Sequence, residues 1–240
     1  MIQCIVAACA SLVSGLVQGI TGFGAVVVLM VFLPAFFPVN VSVGIACTIA
    51  LAVNIYIMIL YREHVSWKKA LVPALINIAI VTIATRISTS IDQRAVKPYF
   101  GAFLILLALY FLFFSKKTGK IKINAPVSIL IAVAAAVCEG FFGVGGPLMV
   151  IYFLNKTDSK EEYLGTIQAY YILSSAVNTA VRFASGVLQP VHIPVLASGI
   201  AAILIGGYIA KKIVAKIDPA VVTKVTYIMI GVAGVINLLS

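Results

Sequence analysis

Two glycine-rich motifs interrupt long apolar stretches of the chain, GITGFG at 19–24 and GFFGVGGP at 140–147. A helix that restarts after such a break presents unpaired N–H groups and the positive end of its dipole, and both favour a bound anion. Glycine also permits a positive φ and a close approach of the main chain to a ligand. The motifs therefore predict a small anion pocket formed by backbone donors. The residues expected to form it are Gly19, Thr21, Gly22, Phe23, Gly24, Gly143, Val144, Gly145 and Gly146.

Close packing of helices is the alternative explanation of these glycines. Small residues let two membrane helices approach each other, and Gly15 and Gly19 have the small-xxx-small spacing of such a contact. The motifs alone do not decide between packing and anion binding.

A stripe of polar residues follows one face of the helix predicted at 163–183. Its members are spaced by 3, 4, 3 and 4 residues, and they are Gln168, Tyr171, Ser175, Asn178 and Arg182. The corresponding segment near residue 54 keeps only Asn54. We expect Gln168, Asn54 and Asn178 to assist anion binding. Two roles are open for Arg182, a bidentate partner of an acidic group or an arginine whose head reaches the membrane interface.

Glu139 is the only acidic residue within the predicted apolar runs. Burial favours the neutral form of a carboxyl group. A carboxyl that gains and loses a proton beside an anion site would be a coupling group for transport. The alternative is a structural acid that stays protonated or pairs with an arginine.

No motif for catalysis or for a cofactor is found in the sequence, which contains no HExxH, GxSxG, P-loop or dinucleotide-binding fingerprint. The four cysteines form no CxxC pair, and His64 and His192 fall in loops predicted on opposite membrane faces. We therefore expect no catalytic residue, no metal site and no cofactor, and a protein that is not an enzyme.

The elements that position these residues are transmembrane helices. The 240 residues are 62% hydrophobic and 10% charged, with a mean hydropathy of +1.16, which indicates an integral membrane protein of the all-α class. This excludes a soluble enzyme and a nucleic-acid partner, although 17 Lys and Arg outnumber 7 Asp and Glu. Six runs have the length of a membrane span, roughly 41–61, 68–86, 98–114, 163–183, 193–210 and 221–239.

The two regions that contain the glycine motifs, 2–38 and 126–154, are predicted to be broken helices. In the second region the pieces on either side of the glycines hold about 14 and 9 residues, and we expect neither to cross the bilayer. Whether the broken segments span fully or form re-entrant hairpins is left open.

The chain also contains an internal duplication. Gly19, Gly22 and Gly24 recur 121 residues later, Asn54 recurs as Asn178, and Ile91-Asp92 recurs as Ile217-Asp218, which predicts repeats at 1–120 and 121–240 in one membrane domain. Each repeat crosses the membrane an odd number of times, so the second is inverted relative to the first.

Positive charge sets the orientation of these spans. One predicted face carries 13 basic residues, and they are Arg62, Lys68, Lys69, Lys116, Lys117, Lys120, Lys122, Lys156, Lys160, Lys211, Lys212, Lys216 and Lys224. The other carries 4, and they are Arg86, Arg94, Lys97 and Arg182. The first face is therefore predicted to be cytoplasmic, with both termini outside.

The segments GLVQGITGFGAVVVLMVFLP and EGFFGVGGPLMVIYFL resemble the TauE/SafE family, also called the sulfite exporter or toluenesulfonate uptake permease (TSUP) family. The resemblance implies a carrier of the inner membrane that moves small sulfur-containing anions such as sulfite, sulfoacetate or other sulfonates. The family's breaks fall on Gly19, Gly22, Gly24, Gly140, Gly143, Gly145, Gly146 and Pro147. The first motif departs from the second, because Ala25 stands where the second has proline.

These observations together predict a secondary transporter with an anion site near the membrane midplane, where the two breaks meet, that works by alternating access. Its partners would be the anion and the lipid bilayer, with protons as a coupling ion through Glu139. An anion channel or a membrane ligand sensor built on the same pocket is the alternative. The oligomeric state, the direction of transport and the identity of the anion stay open.

Overall fold

A computed structural model of the chain describes residues 1–114, 124–213 and 219–239, and all regular structure in these three segments is helical. The α-helices of the described residues are α1 (Ile2–Thr21), α2 (Ala25–Phe32), α3 (Val39–Leu60), α4 (Trp67–Ser90), α5 (Gln93–Phe114), α6 (Ala125–Phe142), α7 (Gly146–Lys156), α8 (Lys160–Ala184), α9 (Ile193–Ile213) and α10 (Pro219–Leu239). The prediction of an all-α fold is confirmed.

The six predicted runs correspond to α3, α4, α5, α8, α9 and α10. Within the described residues, five segments have the length and hydropathy of a membrane span: α1, α3, α4, α6 and Pro190–Ile213, which contains α9. Helix α8 is long enough at 25 residues but carries the polar stripe, so it is not among them. Apolar length is therefore a good guide to the positions of the helices.

The expectation that neither piece of the region 126–154 is long enough to cross is wrong for the first piece. Helix α6 holds 18 residues and is one of the five candidate spans. The helix continues through Gly140. This glycine serves close packing on α4, because a methyl group there would overlap the Cβ atom of Ala84. The second piece, α7, has 11 residues, and its counterpart α2 has 8. At 1.5 Å per residue these are about 16 and 12 Å long, too short to cross.

The two helices that precede the breaks, α1 and α6, each end where a glycine adopts the left-handed conformation. Gly22 caps α1 with φ 81°, and Gly143 caps α6 with φ 73°. Gly24 also has a positive φ, of 100°, just before α2 begins. The second restart differs, because Gly145 precedes α7 with an ordinary φ of −89° and Pro147 lies in the first turn of that helix.

Helices α1, α3 and α9 run in the same direction. Along α1 and α9, Ser198 donates to the carbonyl of Cys4, and Gly19 lies against Ala210 further on. In the same way, Gly199 of α9 contacts Ile49 of α3, and Gly207 contacts Val53, one turn further along α3. Because α1 and α3 are parallel, the segment between them returns the chain to the side on which α1 begins.

The glycine contacts of the two broken helices are reciprocal. Gly19 of α1 packs on Ala210 of α9, and Gly140 of α6 packs on Ala84 of α4. These pairs are related by 121 and 126 residues, which are offsets of the predicted duplication. Each broken helix therefore packs against a helix from the other half of the chain.

Counterpart helices of the two halves run antiparallel. In α3 and α8, Gly44 lies beside Arg182 while Gly165 lies beside Tyr61. The α5 and α10 pair is also antiparallel, with Gly101 against Leu238 and Gly231 against Ala108. An inverted duplication requires this relation, and the inverted repeat stays a prediction. The boundary at 120–121 and the Ile217-Asp218 match lie outside the described residues.

The connections α3–α4 and α7–α8 meet at one end of the helices. The Ser66 N–H donates to Thr166 Oγ1 at 3.0 Å, and Lys69 Nζ lies 2.8 Å from Glu162 Oε1 and 3.1 Å from Asp158 Oδ2. This is the end predicted to be cytoplasmic. Of the basic residues counted for orientation, Lys116, Lys117, Lys120, Lys122 and Lys216 lie outside the described residues, as does the side chain of Arg94.

Candidate functional site

The two breaks line one cavity. Its walls come from α1, α2, α3, α6, α7, α8 and the glycine segments, and the residues are Gln18, Gly24, Ala25, Val26, Val27, Ala50, Asn54, Glu139, Gly143, Gly146, Tyr171 and Ser175. The space open to the centre of a water molecule is about 30 Å³. A cavity of this size holds a very few waters or one small ion.

At the first break, backbone donors are only partly occupied. The N–H of Ala25 donates to Gln18 Oε1 at 2.8 Å, so a side chain caps the start of α2. The N–H groups of Gly24, Val26 and Val27 have no hydrogen-bond acceptor among the described residues. An unpaired buried N–H group is costly, so these donors are available to water or an anion.

Several donors expected at the first break are already used. Gly22 N–H donates to the carbonyl of Gln18 at 2.8 Å, and Phe23 N–H donates to Thr21 Oγ1 at 3.3 Å. The Thr21 hydroxyl lies 2.8 Å from the carbonyls of Val17 and Phe23. Thr21 therefore stabilises the turn and does not line the cavity. Gly19 lies inside α1, where it packs on α9.

At the second break, Gly143 N–H donates to the carbonyl of Glu139 at 2.8 Å. The N–H groups of Val144, Gly145, Gly146 and Leu148 have no acceptor in the described part of the chain. Pro147 has no N–H group to satisfy, and Tyr171 Oη donates to the Gly146 carbonyl at 3.0 Å. Gly24 and Gly146, which carry free N–H groups and come from opposite halves of the chain, thus lie in the wall of one cavity.

Three amide side chains hold the first break in place. Gln18 Nε2 donates to Asn54 Oδ1 at 2.8 Å and to Gln168 Oε1 at 3.1 Å, and Gln168 Nε2 donates to the Gly22 carbonyl at 2.8 Å. Gln18 and Asn54 line the cavity, whereas Gln168 lies behind them. Sequence reasoning gave Gln18 no role, although it matches Glu139 in the duplication.

Glu139 is buried and lies at the cavity wall within a second polar cluster. Asn77 Nδ2 donates to Glu139 Oε2 at 3.1 Å and to Tyr170 Oη at 2.7 Å. Ser174 Oγ lies 2.7 Å from Asn77 Oδ1 and in hydrogen-bond contact with Glu139 Oε1. Asn77, on α4, was missed in the sequence. Its signal would have been an amide in an otherwise apolar span.

Arg182 is fully buried, so the interpretation of an arginine at the membrane interface is wrong. Its guanidinium donates to the carbonyls of Asn40 at 3.0 Å and Gly140 at 2.9 Å, to Thr85 Oγ1 at 3.1 Å and to Asn178 Oδ1 at 2.8 Å. These partners are on α3, α6, α4 and α8. Arg182 ties four helices together and makes no ion pair with a carboxylate in the described residues.

Asn178 is also fully engaged, because it accepts from Arg182 and donates to the Glu139 carbonyl at 3.2 Å. Neither Asn178 nor Arg182 lines the cavity. Of the predicted side-chain donors, Asn54 alone faces it. Among the described residues no cluster of three or more His, Cys, Asp or Glu could hold a metal ion.

Ten helices in the described residues, five of them of membrane-spanning character, define an integral membrane protein, and a cavity between broken segments with polar side chains in its wall is typical of a transporter. Comparison with known families agrees with this class. The chain belongs to the sulfite exporter TauE/SafE family, whose model matches residues 7–236. Searches of curated proteins and of solved structures gave no match.

Proposed function

We propose that this protein is a carrier that moves a small sulfur-containing anion across the inner membrane by alternating access. The observation that carries the proposal is that both glycine breaks, one from each half of the chain, line a single cavity. Family membership supports a sulfur anion as cargo. Broken helices that meet between related halves are typical of the binding sites of secondary transporters.

The chemistry of the cavity suits an anion. The free N–H groups lie at the N-termini of α2 and α7, where the positive end of the helix dipole favours negative charge. An oxyanion such as sulfite offers several acceptor oxygens to two converging sets of donors. The space of about 30 Å³ favours a compact inorganic oxyanion over a long organosulfonate in this conformation.

Two sets of contacts between helices suit the gates that alternating access requires. At one end the guanidinium of Arg182 joins four helices, and at the other Lys69 joins the α7–α8 connection to α4. Opening either end requires breaking one of these sets of contacts. Interleaved packing gives two candidate moving bodies, α1 with α9 and α6 with α4.

Proton coupling through Glu139 is the finer part of the proposal. Its carboxyl lines the cavity, so the charge of the anion and the protonation of Glu139 would influence each other. We expect Glu139→Gln to abolish the pH dependence of transport in proteoliposomes while the protein still folds. An unchanged pH dependence would exclude Glu139 as the coupling group.

The substrate is tested by thermal unfolding of the purified protein with sulfite, thiosulfate, sulfate, sulfoacetate and taurine over a range of pH. A ligand that binds only the folded form stabilises it according to its occupancy. We expect a compact sulfur oxyanion to raise the unfolding temperature most. The absence of any shift with these compounds would contradict the proposed substrate class.

Counterflow separates a carrier from a channel. Proteoliposomes loaded with unlabelled substrate should accumulate labelled substrate transiently and with a saturable rate. Conductance without saturation or exchange would identify a channel, and binding without any flux would identify a sensor.

A further inference from the structure

The side chains of Glu139, Ser174 and Asn77 form a closed ring of three polar contacts, which we call the proton ring. Glu139 on α6 meets Ser174 on α8, Ser174 meets Asn77 on α4 at 2.7 Å, and Asn77 meets the second oxygen of Glu139 at 3.1 Å. All three residues are buried, and their polar atoms contact one another directly, with no room for a water between them. Each contact joins two nitrogen or oxygen atoms and needs one hydrogen atom between them.

A count of hydrogen atoms decides the charge of the ring. The Ser174 hydroxyl contributes one, and Asn77 contributes one, because it meets one neighbour through its nitrogen and the other through its oxygen. An ionised carboxylate contributes none, which leaves three contacts with two hydrogens. Exchanging the nitrogen and oxygen of the Asn77 amide moves the deficit to another contact but does not remove it. A protonated Glu139 supplies the third hydrogen.

We propose that the proton ring is the proton-binding site of the carrier and that Glu139 is protonated in this conformation. Asn77 and Ser174 are then positioning residues that hold the neutral carboxyl. This inference rests on the proposed function. It says where the coupling proton of the carrier binds, and it gives Asn77 on α4 and Ser174 on α8 a part in holding that proton. Loss of the proton leaves one contact without a hydrogen, so the ring opens.

The surroundings of the ring provide for the ionised state as well. The titratable and charged groups that face Glu139 are Tyr170, Tyr171 and Arg182 on α8 and Cys47 on α3, while α4 presents the non-titrating Asn77. Arg182 already holds the carbonyl of the adjacent Gly140. Its guanidinium uses four of its five N–H groups in bonds to described residues, which leaves one for the carboxylate.

Only one half of the chain can form such a ring. At the duplication offsets of 121, 124 and 126 residues, Glu139, Ser174 and Asn77 correspond to Gln18, Ala50 and Ile203. Gln18 carries its own amide hydrogens, and its contacts with Asn54, Gln168 and Ala25 are complete without a titrating proton. The structure therefore assigns one proton to each chain.

Infrared difference spectroscopy of the purified protein at pH 7 tests the proposal without any anion. The chain has 7 acidic residues, and subtracting the spectrum of Glu139→Gln isolates the signal of this carboxyl. We expect the carbonyl band of a protonated carboxyl, which moves in deuterated buffer. Carboxylate bands in its place would overturn the proposal.

Two neighbouring serines give a matched pair of variants. Ser174→Ala removes a ring contact and should shift the carboxyl band to higher frequency, because the protonated group loses a hydrogen bond. Ser175→Ala, at the cavity wall but outside the ring, should leave the band in place. A band that Ser174→Ala does not move would contradict the ring.

Failure of the proton-ring proposal and failure of the proposed transport function are distinguishable. The infrared bands report protonation whether or not the protein moves a sulfur anion, and counterflow reports transport whether or not Glu139 is protonated. If Glu139→Gln does not fold, the band of the native protein at pH 7 and its response to Ser174→Ala carry the test. No band in the native protein would then overturn the proposal.

Discussion

At the scale of single residues, two buried polar clusters organise the molecule in different ways. The first is made of the neutral amides Gln18, Asn54 and Gln168, and each hydrogen bond among them pairs an amide donor with an oxygen acceptor. The second contains the acid Glu139 and the base Arg182, which do not pair directly but share the end of α6. The first cluster therefore behaves as a fixed support, whereas the second contains one group, the carboxyl of Glu139, whose charge can change.

Arg182 gives the clearest stability prediction at this scale. Arg182→Met removes the guanidinium that donates to the carbonyls of Asn40 and Gly140, and we expect it to lower the free energy of unfolding by roughly 3 kcal/mol. Arg182→Lys should be nearly as damaging, because an ammonium group cannot reproduce the planar fork that bonds four helices. Thermal unfolding in detergent measures both.

The exposed Arg86→Met provides the control for this prediction and should change stability by less than about 0.5 kcal/mol. Equal effects at positions 86 and 182 would show that the buried contacts of Arg182 contribute little.

At the scale of helices, the glycines of the two motifs fall into two structural groups. Gly19 and Gly140, the first of each motif, pack against alanines of other helices, whereas Gly22, Gly24 and Gly143 adopt positive φ at the breaks. Packing and the interruption of the helix are thus divided between successive glycines of one motif, and anion binding at the interruption stays a prediction. The first glycine allows two helices to touch, and the later ones end the helix.

The packing glycines can be tested directly. Gly140→Ala would overlap Ala84, and Gly19→Ala would place its Cβ 2.5 Å from that of Ala210, so we expect each to lower stability by about 1–3 kcal/mol. Gly231→Ala, whose Cβ would lie 3.3 Å from that of Ala108, should cost less. The comparison uses thermal unfolding in the same detergent. A ranking with Gly231→Ala as the most damaging would contradict the reciprocal packing.

The positions of the helices were predictable because apolar length and glycine punctuation are local properties of the chain. The partners of Glu139 were not, since Asn77 and Ser174 are 62 and 35 residues away and meet it only through helix packing. Arg182 was misjudged for a similar reason. The position of Arg182 near the end of α8 indicated the membrane interface. In the structure, Asn40 and Leu188 pack around that end of the helix.

At the scale of the whole molecule, the two halves are interleaved and not side by side. Each broken helix packs on a helix of the opposite half, and the counterpart helices α3 and α8 are antiparallel. Neither half could move as a unit without separating these contacts. Any alternating-access movement must therefore occur between bodies that combine elements of both halves.

The predicted topology, with both termini outside, is tested by labelling from the two sides of the membrane. In a cysteine-free background, His64→Cys in the α3–α4 connection should react with an impermeant thiol reagent only from the cytoplasmic side. Val191→Cys, in the α8–α9 connection, should react only from the outside. Both side chains are exposed. Labelling of both from the same side would contradict the topology.

The central claim is that a sulfur oxyanion binds in the cavity between the two breaks, and substrate binding to a cavity-filling variant tests it most directly. Ala50 lines the cavity, and Ala50→Leu adds three carbon atoms to a space of about 30 Å³. The matched control is Ala201→Leu on α9, at an exposed position outside the cavity. We predict that the control keeps the sulfite-induced rise in unfolding temperature while Ala50→Leu folds but loses it. Undiminished binding by folded Ala50→Leu would show that the anion binds elsewhere.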